Sequence, residues 1–146
     1  MAFRLTSSAF ADGTAIPADY TCDGADLQLP LEWADPPAGT VEFALIMDDP
    51  DAHGFVHWVV IGIPASSTSL GASWPASVRE GRTDFGRPGY GGPCPPSGTH
   101  RYVTTLYALA APLGLSGTVS AAEVRRVAQG LTLATAVLTG TYRRAR

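Results

Sequence analysis

The chain has 146 residues, 45% hydrophobic and 16% charged, with 12 prolines and 16 glycines. This fits one domain that buries roughly 70% of the surface its unfolded chain exposes, and it describes a globular, turn-rich protein rather than a disordered or coiled one. A formal net charge of -3 argues against a nucleic-acid binder, because phosphate backbones call for a dense basic face. No lysine occurs, which excludes Schiff-base chemistry and the lysine of a phosphate-binding P-loop.

The N-terminal stretch "MAFRLTSSAFADG" has no apolar run of signal-peptide length, and no later run approaches transmembrane length. A soluble, cytoplasmic protein is the expectation. Cys22 and Cys94 are too few for a disulfide scaffold or a zinc cluster. Free buried thiols are the expected state, with a mutual bridge as the alternative.

Residues 41–47, "VEFALIM", and 55–63, "FVHWVVIGI", are β-rich runs joined by a polar corner with Pro50 and Gly54. The second run is apolar on both faces and predicts a covered central strand. Strict alternation puts Phe55, His57, Val59 and Ile61 on one face and Val56, Trp58 and Val60 on the other. The corner itself is unusual: Asp48, Asp49, Asp51, His53 and His57 crowd beside a buried strand, where ionisable groups must be paired or used.

Residues 86–100, "GRPGYGGPCPPSGTH", hold five glycines and four prolines. A loop this long and stiff predicts a shaped binding element. In the strand that follows, "RYVTTLYAL", period two places His100, Tyr102, Thr104 and Leu106 on one face. Next, "SAAEVRRVAQG" offers Ser120 as N-cap and Glu123 as the closing half of a capping box, so an amphipathic helix is expected. The threonine-rich "LTLATAVLTGTY" predicts a last strand. Arg125-Arg126 and the terminal "YRRAR" read as solvated charge.

The common hydrolase, zincin and dinucleotide signatures are absent, and a calcium loop opening at Asp49 would need its closing glutamate at Val60, inside the strand. A 2-His-1-carboxylate metal site of His57, His100 and Asp49, serving a metal-assisted or acid-base enzyme, is one reading of the cluster. The preferred reading is an anion pocket. His57, His100 and Tyr102 supply hydrogen-bond donors, Gly91 and Gly92 leave backbone N–H groups open to an oxyanion, and Asp49 orients an imidazole or accepts a ligand proton.

"TCDGADLQLPLEW", "DDPDAHGFVHWVV" and "GYGGPCPPSGTHRY", with the tail "AAEVRRVAQGLTLATAVLTGTYRR", resemble the bacterial, Raf-kinase-inhibitor-like branch of the phosphatidylethanolamine-binding proteins over nearly the whole chain. The resemblance implies a mainly β fold over residues 1–146, with a large antiparallel sheet, a smaller second sheet, one or two peripheral helices and a small anion pocket. Carried over by position, that pocket is formed by Asp49 and Asp51 of the D-P-D motif, His57, Gly92 and Pro93 of the loop, and His100 and Tyr102. It implies a phosphate-like, phosphoryl head-group or carboxylate ligand, a kinase or protease as protein partner, no cofactor and no general catalytic activity. A homodimer is left open. The chain departs from the family pattern at His53, where Ala-Pro is usual, at Gln28-Leu29-Pro30 and at Leu131. Without proline, a cis Ala52–His53 bond would cost about 2.5–4 kcal/mol.

Overall fold

The structure is a computed structural model, and it describes residues 2–71 and 73–144. Two antiparallel sheets form the molecule. The small one orders β1 (Arg4–Thr6), β2 (Leu31–Ala34) and β5 (Ser69–Leu70) as β1-β2-β5. The large one is built from β3 (Glu42–Asp49), β4 (Phe55–Pro64), β6 (Arg79–Glu80), β7 (His100–Leu109) and β8 (Thr132–Tyr142), in the order β6-β4-β3-β7-β8. Among the described residues one helix, α1 (Ala121–Ala128), completes the regular structure together with two short 3-10 turns. The expected mainly β, two-sheet fold is what forms.

Both faces of the large sheet are covered at its central strands β3 and β4, which explains the unbroken apolar run of β4, whereas one face of β8 stays exposed at Leu133 and Val137. Phe43, Leu45 and Met47 of β3 pack with Trp58, Tyr102, Leu106 and the small sheet's Leu5, Leu31 and Trp33. Ala44 and Ile46 point the other way, onto Val124 and Ala128 of α1. The helix starts where predicted: the Ser120 hydroxyl accepts from the Glu123 N–H, and the Glu123 side chain returns to the Ser120 N–H. The outer edge of β8 is shielded at its C-terminal end, where Gly13 and Ile16 donate to the Thr139 and Thr141 carbonyls.

Strict alternation along β4 does not survive. Asp48 pairs with Val56 and Met47 with Trp58, so His57 is an extra residue in the ladder. This bulge moves Val56 to the α1 side with Val59 and Ile61, whereas Trp58 and Val60 face the small sheet. His57 is turned toward Tyr102, ring centroids 5.2 Å apart. A second bulge falls between the Phe43–Ile63 and Leu45–Val60 pairs. There Gly62 takes φ +73°, and a Cβ on it would lie 2.2 Å from the Ser77 carbonyl oxygen.

The cysteines are not free. Cys22 and Cys94 form a disulfide with Cα atoms 5.4 Å apart, tying the segment before β2 to the long loop before β7. Their separation of 72 residues concealed the pairing in the sequence. The Ala52–His53 peptide is trans: His53 instead closes its 3-10 turn in the left-handed region at φ +56°, and the Gly54 N–H donates to the Asp49 carbonyl. The last residues of the "YRRAR" cluster, 145 and 146, lie outside the described residues.

Gly62→Ala would combine a left-handed non-glycine residue with a backbone collision, and an expected loss of at least about 2 kcal/mol follows from the conformational penalty together with that contact. Urea unfolding measures it; a loss under about 1 kcal/mol would mean that the bulge is not held by this glycine.

Candidate functional site

The three aspartates of the corner take three separate partners. Asp48 accepts from the Arg125 guanidinium of α1 at 2.8 Å, an exposed pair of small energetic weight. Asp51 accepts from the Arg101 side chain at 2.9 and 3.1 Å and from its backbone N–H at 2.8 Å. These bonds hold the Asp51 carboxyl down to about 2. Asp49 alone turns inward and is 2% exposed. One oxygen accepts from the Asp51 N–H at 2.8 Å and the other from His100 Nδ1 at 2.6 Å. Since a carboxylate can only accept, the Nδ1 of His100 carries the proton and its Nε2 is left for other partners.

His57 is fixed in the same way by a different acceptor. Its Nδ1 lies 2.7 Å from the Gly91 carbonyl oxygen, so Nδ1 is the protonated nitrogen. The residue is 4% exposed, walled by Phe55, Phe85 and Tyr102 at centroid distances of 5.1, 5.3 and 5.2 Å. Burial pushes its pKa below the ordinary histidine value, opposed by the Gly91 hydrogen bond and the Asp49 charge. Near neutral pH His57 is therefore an uncharged imidazole with an Nε2 lone pair. Among the described residues the hydrogen bond of the His57 ring is the one at Nδ1, and the ring lines a cavity. The Tyr102 hydroxyl is kept protonated, its pKa raised by burial and by the Asp49 charge.

These side chains surround one cavity of about 180 Å³. Asp49, His57, His100 and Tyr102 supply its polar lining; Ala52, Phe55, Phe85 and the Cys94-Pro95-Pro96 run supply the rest. The volume is below the roughly 300 Å³ where drug-sized pockets begin, and it suits a group of a few heavy atoms.

The structure thus brings together four of the seven residues expected to bind ligand: Asp49, His57, His100 and Tyr102. Asp51, Gly92 and Pro93 stand outside the cavity lining. Asp51 is taken up by Arg101. The glycine N–H groups expected to receive an oxyanion both have protein partners: Gly91 N–H donates to the His57 carbonyl at 3.0 Å and Gly92 N–H to the Asp26 carboxylate at 2.8 Å. Space, and not an open amide, requires glycine here. A Cβ at 91 would lie 2.2 Å from the Phe85 ring, and one at 92 would lie 2.2 Å from the Tyr20 carbonyl oxygen. Pro93 offers no N–H, and its carbonyl accepts from the Cys22 N–H.

Sequence reasoning missed Phe55, Phe85, Cys94, Pro95 and Pro96 as wall residues. The only signal was their place beside the expected polar positions. The metal reading is not favoured by the donor geometry: among the described residues no group of three His, Cys, Asp or Glu side chains is placed to share an ion.

The family model described as phosphatidylethanolamine-binding protein matches residues 6–143. A UPF0098 protein of Aquifex aeolicus is 44% identical over 97% of this chain and 88% of its own length. LppC of Mycobacterium tuberculosis, named as a candidate lipoprotein, is 44% identical over 86% of this chain and 67% of its own. The crystal structure of CT736 from Chlamydia trachomatis, titled as a phosphatidylethanolamine-binding protein homologue, superposes with a TM-score of 0.92 at 33% identity, covering 99% of both chains.

His57 resists protonation in the folded state, whereas an unfolded histidine gains a proton near 6.5. Below that pH the unfolded chain binds more protons, so stability falls as pH drops and is unaffected by this group well above 6.5. Urea unfolding at pH 7.5 and 5.5 should show a smaller acid-induced loss in His57→Phe than in the wild type. Equal losses would contradict a neutral, buried His57.

Proposed function

The chain belongs to the phosphatidylethanolamine-binding protein family, and from that premise we propose that its cavity binds a small oxyanion that brings or acquires a proton, with a phosphoryl head group as the ligand class. The protein is proposed to act by binding and not by catalysis. The observation that carries this reading is the pairing of both imidazoles through Nδ1, His57 to the Gly91 carbonyl and His100 to Asp49, with both rings lining one cavity.

That pairing dictates the ligand's protonation. Neutral His57 offers a lone pair at Nε2, so a ligand O–H is its natural partner, and the Tyr102 O–H supplies a donor in return. The Asp49–His100 pair can take up one proton as the anion enters: Nδ1–H stays on the carboxylate, Nε2–H forms toward the ligand, and the new imidazolium lies between two negative groups. A fully deprotonated phosphate brings no proton and adds like charge near Asp49. The apolar wall of Phe55, Phe85 and Pro95-Pro96 accommodates the carbon side of a monoester better than bulk water does.

A protein partner, a kinase or protease among them, would meet the cavity at its rim, where Phe85 is 40% exposed. Among the described residues no helix is long and apolar enough to cross a membrane. For compartment, the Cys22–Cys94 bridge supports an oxidising environment over the reducing cytoplasm first expected, and the candidate-lipoprotein name of the similar LppC points the same way.

Titration calorimetry with phosphoethanolamine tests the proposal. A phosphomonoester's second pKa is near 6, so its monoanion rises from about 1% at pH 8 to about half at pH 6, and affinity should increase by more than about tenfold over that range. Asn at position 49 would present an N–H to His100 Nδ1, moving the ring proton to Nε2 and supplying a donor at every pH; Asp49→Asn should flatten the dependence. His100→Ala should weaken binding throughout. A flat wild-type profile, or tighter binding at pH 8, would contradict the proposal.

A further inference from the structure

The motif "TCDGADLQLP" contributes no residue to the lining of the His57–His100 cavity, yet one of its side chains reaches the site from outside. Asp26 Oδ1 accepts the Gly92 N–H at 2.8 Å. The carbonyl of Gly91, in the same peptide group, accepts from His57 Nδ1 at 2.7 Å. We propose that Asp26 is the positioning residue of His57, acting through the Gly91–Gly92 peptide: a carboxylate on its N–H and an imidazole on its C=O.

Hydrogen bonds in series polarise one another. A carboxylate on the N–H end makes the amide oxygen a stronger acceptor, which holds the His57 proton on Nδ1 and makes Nε2 more basic. The cavity then has two histidines, each backed by a carboxylate, directly from Asp49 to His100 and through one peptide from Asp26 to His57. Metal-bound histidines show the same logic, in which an outer carboxylate sets tautomer and basicity.

Asp26 is also one of three non-glycine residues with positive φ among the described residues, at +56°. Such a conformation persists where the surroundings hold it, and here the chain on either side is anchored. Leu27 N–H donates to the Asp19 carbonyl, Cys22 is bridged to Cys94, and the Asp23 carboxylate accepts from the Tyr142 hydroxyl at 2.6 Å and from Arg144 at 3.1 Å. Gly92 cannot be replaced in its present place, because a Cβ there would lie 2.4 Å from Asp26 Oδ1 itself. Among the charged and titratable groups around His57, Asp49, His100 and Tyr102 face it from the strands and Asp26 from the loop. Asp84 is turned to the Val56 N–H, and the Arg87 guanidinium lies over the Phe85 ring.

This proposal rests on the cavity reading above only for its effect on ligand. Its direct readout is the titration of the His57 ring in the ligand-free protein, followed by NMR. Asp26→Asn keeps an acceptor for Gly92 and tolerance of the left-handed backbone while removing the charge; Asp26→Gly removes both and relieves the backbone. The His57 midpoint should move to lower pH in Asp26→Asn and at least as far in Asp26→Gly, and affinity for inorganic phosphate should fall by about tenfold, the lower end of what losing an outer carboxylate costs a metal-bound histidine. A midpoint unchanged in both variants overturns the role of Asp26. A wild-type protein that binds no phosphate overturns the ligand reading instead, and the midpoint still decides the role of Asp26.

Discussion

The peptide between Gly91 and Gly92 is the constraint on which the site depends. Gly91 is tied to His57 twice, N–H to carbonyl and carbonyl to imidazole, and Gly92 N–H is tied to Asp26. Neither residue can carry a side chain in its present place. Once this peptide is fixed, Cys94, Pro95 and Pro96 follow directly as part of the cavity lining, and the disulfide to Cys22 anchors the start of that run. The stiffness of the proline-rich loop therefore serves to place apolar surface, while the glycines let the loop approach the sheet.

The strands supply the other half. Asp49 ends β3, His57 lies on a bulge near the start of β4, and His100 and Tyr102 lie two apart at the start of β7, so chain positions 51 residues apart meet in the Asp49–His100 bond. The bulge is essential to this arrangement, because an unbroken ladder would have turned His57 toward α1 with Val59 and Ile61. Electrostatically the site is acceptor-rich: a buried carboxylate and two imidazoles whose Nδ1 protons are already engaged. In the proposed reading, a proton on the ligand, or one taken up with it, is what lets an oxyanion enter.

Much of this was legible in the sequence, for definite reasons. Period two along β7 placed His100 with Tyr102, the crowding of ionisable groups beside a buried strand marked Asp49 and His57, and the capping box of α1 was written in Ser120 and Glu123. A motif shared by a whole corner does not say which carboxylate turns inward; Arg101, next to His100, pairs with Asp51 outside the cavity lining. Glycine marks both an open amide and a crowded Cα, and only the neighbours show that Gly91 and Gly92 are crowded with their N–H groups engaged. The bulge at His57 and the pairing of Cys22 with Cys94 are tertiary facts: the first is set by registry with β3, the second by which loops meet.

A crystal structure grown in saturating phosphate addresses the central claim most directly. The account predicts tetrahedral density in the cavity with oxygens within about 3.2 Å of His57 Nε2, His100 Nε2 and the Tyr102 hydroxyl, and with Asp49 still bonded to His100. Phosphate bound elsewhere with only water between the two imidazoles, or a phosphate oxygen on the Gly92 N–H with Asp26 displaced, would contradict it.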